Sequence, residues 1–222
     1  MRKNCKGNVL VYILMAVALL AALTYMISRD GGGQQTNQLS EAEANLRASE
    51  IISLAASVRM AVDQMNQWGV KYEDIRFDEP SDSGYTTNTS RQIMHPAGGG
   101  ITLPVENERY FKLSDTGEQA YGWTWKNTTN VEWSKSSAND VIFSAGNLRP
   151  DVCTAINKQL TGSNTLPILH NNFQFREHFS HRSSSNIDFM ISECSECDKR
   201  DALCMYRPER DWHQFYSLAG SR

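Results

Sequence analysis

The chain has 222 residues, with 22 Lys and Arg against 25 Asp and Glu and a formal net charge of −3. That balance supplies no basic excess of the kind nucleic-acid binding needs. The charge is also unevenly placed. Arg2, Lys3 and Lys6 crowd into the first seven residues, and Val9 to Ile27 then runs for 19 residues without a charge. A helix rises about 1.5 Å per residue, so this run reaches roughly 28 Å, close to the ~30 Å hydrocarbon core of a bilayer. The basic flank keeps the N-terminus in the cytoplasm and sends everything after Ile27 across the membrane. Three readings of this segment compete. A secretory signal peptide needs a shorter apolar region and a small-residue cleavage site, and Tyr25-Met26-Ile27-Ser28-Arg29 offers none. An uncleaved signal anchor needs nothing beyond hydropathy. In the third reading the cut falls before the apolar helix, which is kept.

Lys6-Gly7 followed directly by Asn8 and the apolar run resembles the start of type IV pilins and of the pseudopilins of type II secretion. The resemblance implies a leader of residues 1–7, cleavage by prepilin peptidase between Gly7 and Asn8, and a membrane helix over 8–28. It also implies other pilin-like subunits as partners, with the helix first held in the inner membrane and the domain periplasmic or extracellular. Asn8 stands where the family usually has Phe or Met, and Tyr12 where Glu is usual at mature position five. Without that Glu, the resemblance is to minor subunits at filament tips. Leu148–Asn157 and His213–Leu218 also resemble segments of pilin-like proteins from Gram-negative bacteria.

Arg29 to Gln38, with Gly31-Gly32-Gly33 followed by Gln, Thr and Asn, reads as a flexible linker over 29–39. It breaks what many pilins build as one continuous helix. Residues 40–222 form the extracytoplasmic domain. Without the three leader cations, 19 Lys and Arg face 25 Asp and Glu, a net −6 for the exported part. Ser40-Glu-Ala-Glu43 fits a capping box. Ile51, Leu54, Ala55, Val58, Ala61, Val62 and Met65 then recur on one helical face, and Trp68-Gly69 ends the helix. Short extended segments follow: Lys71–Phe77, Ile101–Val105 and Tyr110–Leu113, with an irregular polar stretch over 78–100. Tyr121–Lys126 and Val131–Lys135 read as a hairpin around Asn127–Asn130, and Asp140–Ser144 as a further strand. Pro150 to Leu160 returns to helical spacing, with the Pro in the first turn. Asn186–Ile191 and Gln214–Leu218 are the last strand candidates. The fold class expected is α+β: an amphipathic helix packed on a mainly antiparallel sheet, with a disulfide-stapled C-terminal region.

Cys5 lies in the leader. Cys153, Cys194, Cys197 and Cys204 lie on the exported side, where an even number reads as two disulfides. Four cysteines allow three pairings. We favour Cys153 with Cys204, which ties a helix to the C-terminal region across about 50 residues and is worth ~4 kcal/mol in the chain-entropy model. Cys194 and Cys197 are then left to each other. Two rival readings remain open: thiol exchange at Cys194-Ser-Glu-Cys197, and a zinc site of Cys194, Cys197, Cys204 and His213.

Nothing in the chain resembles a nucleophile elbow, a phosphate loop or a zinc-protease motif, so we read no catalytic residue, no cofactor and no enzyme. His178 and His181, with Glu177 beside them, would share a metal on a helix. The alternation of Phe173, Phe175 and Phe179 argues instead for a strand, which separates them. Trp123, Trp125 and Trp133 gather on the proposed hairpin. Aromatics suit half-buried strands, which favours a core role. The alternative is an exposed ledge binding a glycan or a protein, and with it an uncleaved, anchored binding module in place of a filament subunit.

Overall fold

The computed structural model describes residues 13, 15–20, 40–112, 122–169, 173–184 and 186–221. The chain divides into two compact units, Met1–Gln38 and Leu39–Arg222. In the first unit, residue 13 and residues 15–20 are helical. The expected leader, the Gly7–Asn8 junction, the rest of the expected membrane helix and the 29–39 linker lie outside the described residues. Among the described residues, no helix is long and apolar enough to cross a membrane.

The second unit is α+β. Helix α1 spans Glu41–Gln67. Glu43 donates its backbone N–H to Ser40 Oγ at 3.2 Å, and Glu41 and Glu43 place negative charge at the positive end of the helix dipole. Its buried face runs through Ala44, Ala48, Ile51, Ala55, Val58, Ala61, Val62 and Met65, so six of the seven positions expected from the spacing recur there, all but Leu54. The alanines bring the helix axis close to its neighbours. Gly69, at φ +87°, turns the chain out of the helix, and Val70 N–H donates back to Met65 O at 3.0 Å.

The sheet has four antiparallel strands: β1 (Trp123–Thr129), β2 (Asp140–Gly146), β3 (Ala202–Arg207) and β4 (Trp212–Gly220), in the order β1-β2-β4-β3. The two central strands are buried along their whole length, because a core lies on each face. One core joins Val141, Phe143, Ala145, Cys204, Phe215 and Ala219 to α1 and to helix α2 (Pro150–Thr161). The other joins Ile142, Leu203, Met205, Tyr216 and Leu218 to the aromatic cluster of Phe173, Phe175, Phe179 and Phe189. Helix α3 (Phe175–Phe179) carries two of those rings.

The edge strand β3 is closed by side chain and loop. Asn157, fully buried on α2, accepts from Cys204 N–H at 2.8 Å and donates to Cys204 O and Thr165 O, both at 2.9 Å. Two residues on, Tyr206 N–H donates to Pro167 O and Leu169 N–H donates to Tyr206 O, both at 2.9 Å.

Several expected strands are corrected. The partner of β1 is β2, with Trp125 opposite Phe143. The segment Val131–Lys135 belongs to a long loop, held by Asn130 Nδ2 donating to Ser136 O and Ala138 O at 2.9 and 2.7 Å. Val131 N–H also donates to the buried Asp140 Oδ2 at 2.8 Å. Lys71–Phe77 contains a short 3-10 turn at Tyr72–Asp74 and a single bridge, Arg76 to Gln92. Phe111 and Phe189 make single bridges, to Leu148 and Val131, within segments read as strands. Ile101–Val105 makes no ladder. These segments bury individual side chains without forming ladders, so alternation in the sequence tracks burial there and not sheet pairing.

Candidate functional site

The cysteines form two disulfides, Cys153–Cys204 and Cys194–Cys197, with Cα separations of 5.5 and 5.3 Å. All four residues are buried. Each sulfur is committed to a partner, so Cys194, Cys197, Cys204 and His213 do not assemble as a zinc site. The element after Cys194 is a three-residue 3-10 turn, Ser195–Cys197, too short to supply the dipole that activates a thiol.

The expected strand through Phe173, Phe175 and Phe179 is corrected to the short helix α3, with His178 inside it and His181 beyond its end. His178 lies in α3, is 1 % exposed, and stacks on Phe173 with ring centroids 4.1 Å apart. Its Nδ1 faces Gln174 O at 2.9 Å and its Nε2 lies 3.3 Å from Glu193 Oε1. Burial pushes the Glu193 carboxyl up, but the His178 ring and the Met190 N–H outweigh it and hold the group below its ordinary range. His181 follows the end of α3 and is exposed. Among the described residues, no three His, Cys, Asp or Glu side chains converge on a common point.

The aromatic ledge is corrected in its main part. Trp123 and Trp125 are 6 % and 1 % exposed. Trp123 stacks on Phe143 at 5.8 Å, and its indole N–H donates to Pro104 O at 2.9 Å. Trp125 stacks on Phe77 at 5.6 Å. Both face the core beneath α1, because even-spaced residues of a strand share one face and the face of β1 turned to that core is theirs. Trp133 differs. It sits in the 130–139 loop, meets Phe189 edge-on at 4.8 Å, and donates its indole N–H to Arg200 O at 3.0 Å. It is only partly buried.

Trp133 lines a small polar cavity of about 150 Å³ together with Arg59 and Asp63 of α1, Lys135 of the same loop, Asp201 before β3, and the end of β4. Arg59 Nη1 lies 3.0 Å from Asp201 Oδ2. Asp63 and Lys135 make no ion pair among the described residues. In sequence only Trp133 is marked. Arg59 and Asp63 carry a weak signal, as opposite charges at i, i+4 on the polar face of a helix. Lys135 and Asp201 carry none, because loop charges converge only through the fold.

No protein family, curated protein or solved structure matches the chain.

Proposed function

We propose that the protein is a pilin-like or pseudopilin-like structural subunit, anchored by its N-terminal helix and contributing to an extracytoplasmic filament or secretion apparatus. The observation that carries this reading is the junction at Gly7–Asn8, where a leader with three cations meets 19 uncharged residues. The architecture of the second unit supports it: a capped 27-residue helix at its start, laid on an antiparallel sheet, with a disulfide closing the C-terminal part. The role is assembly, not catalysis. The anchored binding module loses two of the three residues of its proposed surface, since Trp123 and Trp125 are core residues.

The test is cleavage. Co-expressed with a prepilin peptidase, the wild-type chain is expected to yield a mature N-terminus at Asn8 by intact-mass analysis. Gly7→Val is expected to leave the leader attached. A wild-type chain that keeps Met1 in peptidase-positive cells would sink the assignment.

A further inference from the structure

We propose that the cavity shared by α1, the 130–139 loop and the end of β4 binds a single neutral polyhydroxylated ring, a monosaccharide unit. This goes beyond the anchoring and assembly role and does not depend on it. The walls carry charges of both signs, Arg59 and Lys135 against Asp63 and Asp201. An anionic ligand would meet two carboxylates, and a cationic one would meet a guanidinium and an ammonium. A sugar hydroxyl avoids both conflicts, because it donates to a carboxylate and accepts from an ammonium at once.

The state of the four charges sharpens the point. Arg59 and Asp201 are already joined, at 3.0 Å, and so form a fixed polar wall. Asp63 and Lys135 line the same cavity with opposite charges and pair neither with each other nor with a third group among the described residues. Their donors and acceptors stay open toward the space between them. Trp133 adds the aromatic wall against which the C–H face of a pyranose packs. Ser221, also on the rim, accepts from Lys135 N–H at 3.2 Å through its Oγ.

Size selects within the class. One water needs about 10–15 Å³ of such space, so a cavity of about 150 Å³ takes on the order of ten small atoms. That matches one sugar ring. It is too small for a buried oligosaccharide, and too polar for an apolar ligand.

The experiment is saturation-transfer NMR on the full-length protein, in a detergent without a sugar headgroup, with D-glucose, D-galactose and N-acetyl-D-glucosamine as probes. At least one is expected to bind with a Kd on the order of millimolar, as ligand efficiency allows for about a dozen heavy atoms. Asp63→Ala and Lys135→Ala are each expected to weaken binding tenfold or more. Both side chains are exposed and unpaired, so the melting temperature is expected to hold, and lost binding then reports the site. The proposal is overturned if no probe binds up to about 50 mM, or if both variants bind as the wild type does. Tighter binding of L-alanine or spermidine than of any sugar overturns it too, since either would show that charge, not hydroxyls, is what the cavity reads.

Discussion

Asn157 shows how much one side chain can hold. Its amide stands in for a strand neighbour, meeting the N–H and C=O of Cys204 and the carbonyl of Thr165. Asn157→Ala leaves three backbone groups without partners at about 1–3 kcal/mol each. A loss of about 3 kcal/mol or more is expected in urea unfolding, whereas Gln159→Ala, two residues on and exposed, is expected to stay within about 0.5 kcal/mol. His213 makes a prediction in pH. Burial first, and then the nearby Lys112, push its ring down to about 4, while it stacks on Tyr206 at 4.5 Å. Below its ordinary value of about 6.5 the unfolded chain takes up a proton that the folded chain refuses, so stability falls as pH drops from about 6.5 to about 4. The fall reaches up to about 3 kcal/mol. His213→Phe is expected to flatten that part of the stability–pH curve, measured by denaturant midpoint. The capping role of Ser40 is legible in sequence because it needs only neighbours three residues away. The roles of Asn157 and His213 are not, because their partners lie about 50 residues off or come from another strand.

Among the elements, α1 and α2 are legible because an amphipathic helix writes its period into a single stretch of chain. β2 and β4 are legible as apolar runs bounded by polar residues. β3 and α3 are not. Ala202–Arg207 holds its two core faces alternately, with Leu203 and Met205 on one and Cys204 on the other, but six residues beside a C-x-x-C motif draw the eye to the cysteines. Phe173, Phe175 and Phe179 look like strand alternation, yet only Phe175 and Phe179 share α3, at the i, i+4 spacing of a single helical turn. Both disulfides lie within or beside these elements, and they predict an order of stability. Cys153–Cys204 ties α2 to β3 across 51 residues and is worth about 4 kcal/mol in the chain-entropy model, whereas the three-residue separation of Cys194–Cys197 is worth about 2. Replacing each pair with Ala is expected to lower the unfolding free energy in that order. Equal losses would place the effect in native packing and not in the unfolded chain.

At the scale of the molecule, the α+β class and the antiparallel sheet follow from local pattern, and the two disulfides from the four cysteines that follow residue 150. The cavity does not, since it joins residues 59, 63, 133, 135 and 201, which only the folded sheet brings together. The closure of β3 has a consequence for how such a domain meets its neighbours. An uncapped strand edge is a template on which any extended chain can add a further strand. Here Cys204 and Tyr206 offer their outward amide groups to Asn157, Pro167 and Leu169, so along that stretch an incoming segment finds nothing left to bond. Copies that meet at this edge would therefore recognise one another through side chains, whose pattern is specific, and not through bare backbone, whose pattern every chain shares. That is the difference between an ordered array and an amyloid-prone one.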